Sequence, residues 1–215
     1  MKKGVLIISL LINVLLIGYI VKLRLFKPRS NNQINYFLNR NKYLDILPND
    51  SSSIVFGGDS HIQNFELAEM FKSTVFKNRG ISYDTSLGLL HRIDELTNGN
   101  PSKIFIEIGT NDANQRIPVE NTISNINSIL NSIQSKSPRT QVYLQSVMPN
   151  KFNLSQILIL NKNIQAIADA RHLTFINLDP YFLSNGLKKQ YDSGDGVHLN
   201  GEGYLKWKDV LKKYL

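Results

Sequence analysis

The feature that most limits how this chain can fold is a repeated alternation of short apolar runs with helical patterns. Ser53–Phe56, Val75–Asn78, Ile104–Ile108, Val142–Val147 and Thr174–Leu178 read as five short buried strands. Helical patterns follow them, over His61 to Phe71, Leu87 to Leu96, Ile117 to Ile133, Leu154 to Ala170 and Gly201 to Tyr214. In the third, Ile123, Ile126, Ile129, Leu130 and Ile133 share one face. Pro101 and Gly109 bound the third strand, while Pro149 and Pro180 stop the fourth and fifth. Apolar strands each followed by a helix predict a mainly parallel sheet covered on both faces. The 215 residues, 42% of them hydrophobic, suffice for one such domain with its own core.

Ahead of this body, Val5 to Val21 is an almost unbroken apolar run, interrupted only by Ser9, Asn13, Gly18 and Tyr19. A run of about 17–25 apolar residues can cross a bilayer as a helix, because lipid forces every backbone polar group to pair internally. No Ala-x-Ala-like site follows it, so residues 1–25 are expected to be an uncleaved membrane anchor; cleavage would instead release a secreted body. Lys2 and Lys3 favour a cytoplasmic amino terminus and an extracytoplasmic body, whereas Lys22, Arg24, Lys27 and Arg29 pull the other way. Residues 26–50, rich in Asn, Arg and Lys with Pro28 and Pro48, read as a basic, polar linker. It carries a short amphipathic helix over Asn35–Leu47, and 51–215 is the remaining domain.

The formal charge of +8 invites a nucleic-acid reading, since basic domains attract phosphate. Six of the twenty-five Lys and Arg lie in the first thirty residues with no acid among them. That leaves nineteen basic against seventeen acidic residues in the body, so no nucleic-acid partner is expected. The chain has no cysteine, which excludes disulfides, thiolate metal centres and thiol nucleophiles.

In open parallel sheets the chemistry gathers at the carboxyl ends of the strands. The first such junction is Gly57-Gly58-Asp59-Ser60, where a serine stands between strand and helix. The same residues also make an ordinary helix cap. The last is Asp195-Gly196-Val197-His198-Leu199-Asn200, a histidine in a Gly-containing loop with an acid three residues before it. A serine hydroxyl needs a base, and the base needs an orienting group. Of the four histidines, His61 is expected to point away along its helix, while His91 and His172 read as surface or structural residues. His198 therefore remains. Gly109-Thr110-Asn111-Asp112 offers an amide donor, or simply an Asn-Asp turn. Asn78-Arg79-Gly80-Ile81 offers the Gly80 backbone N–H. No His-Glu-x-x-His or comparable set accompanies Asp195 and His198, so no metal is expected.

Taken in order, these four motifs resemble the SGNH (GDSL-type) hydrolase family over about Ile54 to Trp207. The similarity is greatest to its platelet-activating-factor acetylhydrolase-like and carbohydrate O-acetylesterase-like branch. Gln145-Ser146 before Pro149, and Gly203-Tyr204 with Trp207, fit the family's fourth strand end and closing helix. The resemblance implies a flavodoxin-like three-layer α/β/α sandwich with about five strands. It implies Ser60 as nucleophile, His198 as base and Asp195 as its orienting acid. The Ser60 N–H, the Gly80 N–H and the Asn111 side chain would form the oxyanion hole, and no cofactor is required. His61-Ile62 departs from the small or hydroxylated residue common after the serine.

The expected reaction is hydrolysis of an acyl ester through an acyl-serine. No long insertion suggests an acyl tunnel, so a short acyl group, most simply acetyl on a glycan, is the expected substrate. A lysophospholipase or thioesterase at the membrane, an O-acetyltransferase, and a non-catalytic envelope-anchored binding module are the alternatives.

Overall fold

The computed structural model describes Asn13 and residues 30–215. The rest of the proposed membrane anchor and its basic flanks lie outside the described residues. Among those described, no helix is long and apolar enough to cross a membrane.

Within the segment read as a linker, Asn31–Asp45 is a helix opened by a reciprocal cap between Ser30 and Gln33. Leu44 is buried, and the chain beyond is held by Arg79, which donates to the Leu47 and Pro48 carbonyls and to Asn49 Oδ1. This stretch is thus packed onto the body.

Five strands follow: β1 (Ile54–Gly58), β2 (Phe76–Gly80), β3 (Lys103–Glu107), β4 (Gln141–Gln145) and β5 (Thr174–Ile176). All four pairings are parallel, in the order β2-β1-β3-β4-β5. The alternation along each strand sorts the side chains into two cores, because successive residues face opposite sides. Val55, Ile104, Ile106 and Leu144 meet Ile126, Ile129, Ile133, Leu160 and Ile164 from the helices Val119–Lys136 and Leu154–Ala170. Phe56 and Phe105 stack on the other face, rings 4.6 Å apart, in the same core as Trp207 and Leu211 of the closing helix Gly201–Leu211. The result is a three-layer α/β/α sandwich with an entirely parallel five-stranded sheet.

Two helical patterns are broken more finely than the sequence predicts. His61–Phe71 is split into Ser60–Gln63 and Leu67–Met70, and Leu87–Leu96 into Ser86–His91 and Asp94–Thr97. A short helix Asp179–Phe182 and a two-residue hairpin, Leu183–Ser184 with Gly186–Leu187, fill the stretch after β5. The strand order reverses between β1 and β3, so their carboxyl ends flank the crevice that such a reversal opens.

Candidate active site

Ser60 is the first residue of the helix that leaves β1, and Asp59 caps that helix by accepting the His61 N–H at 3.0 Å. The first residue of a helix has no intrahelical acceptor for its N–H, so the Ser60 amide is available at the crevice. His198 arrives on the loop before the closing helix. Its Nε2 lies 2.9 Å from Ser60 Oγ, and its Nδ1 lies 2.6 Å from Asp195 Oδ2. Asp195 Oδ1 accepts the N–H groups of Val197 and His198, both at 2.8 Å. The compact turn therefore fixes carboxylate and imidazole together.

Burial is the largest single influence on Asp195 and works against its charge. The hydrogen bonds from the His198 ring and from the backbone of His198 and Val197 prevail, and hold its carboxyl well below the usual range. With an ionised acceptor at Nδ1, that nitrogen carries the proton and Nε2 faces Ser60 as a base. The His198 and Asp195 side chains are 35% and 50% exposed, so this side of the site is open to solvent.

Asn111 follows β3 through Gly109, whose φ of 140° suits glycine and turns the chain into the helix Thr110–Asn114. Its Nδ2 donates to the Asp84 carbonyl at 2.9 Å and lies 3.4 Å from Asp59 Oδ2, so the amide sits beside the serine turn. The other predicted donor is corrected. The Gly80 N–H gives its single hydrogen to Asn78 Oδ1 at 2.9 Å, whereas the second hydrogen of the Asn111 amide makes only the long 3.4 Å contact with Asp59, which an oxyanion can displace. Gly80 instead lets the serine helix approach β2: a Cβ there would stand 2.2 Å from the Gln63 nitrogen.

Two groups escaped the sequence reading. Arg92 is buried and donates from Nε to Asp84 Oδ2 and from Nη1 to Glu95 Oε2, each at 2.8 Å. It also reaches the Arg79 and Gly58 carbonyls at the ends of β2 and β1. It thereby braces the residue whose carbonyl holds Asn111. The second group is His61, expected to point away but fully buried beneath the serine, its ring 5.5 Å from that of His198. Asp59, His61 and Glu107 gather three potential ligand atoms within 4.8 Å, the one such set among the described residues. His91 and His172 are exposed, as the sequence reading has them.

The profile of the GDSL-like lipase/acylhydrolase family matches residues 53–206. No protein of curated function matches the chain. Among solved structures, one from Streptococcus pneumonia, described provisionally as a platelet activating factor, is 27% identical with a TM-score of 0.75, covering 95% of this chain and 98% of its own. A GDSL-like lipase from Bacteroides thetaiotaomicron is 28% identical with a TM-score of 0.74, over 83% of this chain and 97% of that one. The acetyl xylan esterase AlAXEase, at 18% identity and a TM-score of 0.67, covers 76% of this chain and 99% of its own. That last likeness is one of fold.

Proposed function

The chain belongs to the GDSL-like lipase/acylhydrolase family and is a serine esterase, and from that premise we propose that it removes short acyl groups, acetyl above all, from a carbohydrate. The observation that carries the reaction is the unbroken chain of short contacts from Ser60 Oγ through His198 to Asp195. In this reading His198 takes the Ser60 proton as Oγ attacks the ester carbonyl. The Ser60 N–H and the Asn111 amide receive the oxyanion. His198 then returns the proton to the departing alcohol, and water repeats the cycle on the acyl-serine. Asp195 holds the imidazole in its useful tautomer and balances its charge.

Support for a bulky alcohol comes from the open base side, where Asp195 is half exposed and exposed Phe152 stands on the loop whose Lys151 N–H reaches the Gly196 carbonyl. An acetyl xylan esterase shares this fold. With 4-nitrophenyl esters and the full chain, kcat/KM should peak at acetate or propionate and fall by about tenfold or more at octanoate. Acetate should also be released from acetylated oligosaccharides. A maximum at long acyl chains or lysolipids would sink the short-chain assignment and leave the esterase.

We propose further that residues 1–25 anchor the protein with its catalytic body outside the cytoplasm. The support is the apolar run and the Lys2–Lys3 pair. A reporter active only outside the cytoplasm, fused after Leu215, should be active; a silent, stably expressed fusion would place the body inside.

A further inference from the structure

The loop that carries His198 is irregular and exposed, and most of its hydrogen bonds are local. Gly194 and Gly196 donate to Asp192, Val197 and His198 donate to Asp195, Ser193 donates to the His198 carbonyl, and Asn200 N donates to the Tyr191 carbonyl. Apart from Ser60–His198 itself, two described hydrogen bonds tie residues 192–199 to distant parts of the chain. One is long, Lys151 N to the Gly196 carbonyl at 3.4 Å. The other is short: His61 Nε2 to the Val197 carbonyl at 2.9 Å.

We propose that His61 is a positioning residue that clasps the base-bearing loop to the nucleophile turn, setting the reach of His198 to Ser60. This rests on the esterase reading above. Its geometry is well suited to the task. His61 adjoins Ser60 in the chain and its acceptor adjoins His198, so one hydrogen bond couples the two reacting residues across 136 positions. The residue is anchored through its backbone, whose N–H donates to Asp59 Oδ1 and whose carbonyl accepts the Tyr204 hydroxyl at 3.1 Å, and its side chain has no exposed surface, so the ring's one hydrogen bond is the clasp itself.

A carbonyl acceptor requires a proton on Nε2. Nδ1 faces two buried carboxylates, Asp59 Oδ1 at 3.4 Å and Glu107 Oε2 at 3.9 Å. Burial disfavours a charged ring and the nearby Asp59 and Glu107 carboxyls favour one, with the net direction upward, while burial pushes the Glu107 carboxyl up in its turn. The Nε2–H donates to Val197 whether or not Nδ1 is protonated, so the clasp rests on its geometry. The groups facing it are Asp59 from its own turn, Glu107 from the end of β3, Tyr204 from the closing helix and the His198 ring from the loop.

The test compares His61→Leu, which has no donor, with His61→Gln, whose amide N–H can still reach Val197. Both are made in the full chain. Turnover of 4-nitrophenyl acetate is referred to active sites counted by complete reaction with a fluorophosphonate. Loss of alignment predicts kcat per active site lower by about 10–100-fold in His61→Leu, with KM little changed and much of the loss restored in His61→Gln. A purely structural role would reduce the number of titratable sites and the melting temperature while kcat per site stayed at the wild-type value, and that result overturns the clasp. If His61→Leu does not fold, His61→Asn, too short to reach the carbonyl, takes its place against His61→Gln. Ser60→Ala separates the two layers of inference. Should Ser60→Ala remain active, the serine reading fails. Should it be inactive while the His61 variants keep full kcat per site, the clasp alone fails.

Discussion

Ser60→Ala is expected to lower kcat on 4-nitrophenyl acetate by about 10⁴–10⁶, with the fold and melting temperature preserved. The size of the loss follows from the route: without Oγ there is no acyl-serine, and what remains is the help that the oxyanion donors give to direct attack by water. His198→Ala should lose a similar amount. The double variant should be no worse than either single one, because nucleophile and base act as a unit and their effects do not add. Asp195→Ala should cost less than either, on the order of 10²–10⁴, since it orients a base that is still present. Its exposure, 50% for the side chain, lets water take over part of that task. Steady-state kinetics on the four variants would check the order. Additive losses in the double variant would mean that Ser60 and His198 do not serve one step.

The largest effect on stability is expected at a residue with no place in the chemistry. Arg92→Met fits a similar volume but leaves Asp84 and Glu95 without their guanidinium partner inside the protein. Breaking a buried ion pair from one side costs about 3–5 kcal/mol. For a domain of this size that is about 6–20 °C in melting temperature. Burial raises Glu95 above its ordinary value, with Arg92 drawing it back, so removing Arg92 favours its protonated form further. A carboxyl whose folded pKa is raised loses stability as pH rises, so the deficit of Arg92→Met should shrink as pH falls from 7 towards 5. Scanning calorimetry at the two pH values would show it. A shift of one or two degrees would mean that the guanidinium is not what stabilises Asp84 and Glu95 in the fold. Activity should fall as well, because Asp84 presents the carbonyl that orients Asn111.

The parts of this architecture that could be read from the sequence are those whose signals are local. The Ile104–Ile108 run and the face of Ile126, Ile129 and Ile133 announce strand and helix by their period alone. Ser60, Asn111 and His198 can be placed because each follows a strand or precedes a helix in its own short motif. Gly80 shows where that reasoning stops. A glycine after a strand resembles an oxyanion donor and a close-packing residue equally well, and only the neighbouring helix backbone and the Asn78 side chain decide between them. The place of His61 is hidden in the sequence for a related reason. A residue one step into a helix does turn away from its neighbour, yet its destination depends on Val197, which returns from far along the chain. One sign was present: Glu107, an acid at the end of the central apolar strand, sits in a place where charge is costly without a partner. Arg92 likewise resembles any charged helix residue until Asp84, Glu95 and two strand ends are seen around it.

The bond between Ser60 and His198 spans 138 residues, and the α-helix that seats the base loop, Gly201–Leu211, comes after both. At about 5–20 residues per second, a ribosome making this chain needs roughly 7–30 s after the serine to supply the histidine. During that interval the nascent protein carries a nucleophile but no base. Hydrolytic competence therefore waits for His198 and for the helix behind it to dock Trp207 against Phe65, and a product cut short before His198 would lack the base whatever the state of its earlier strands.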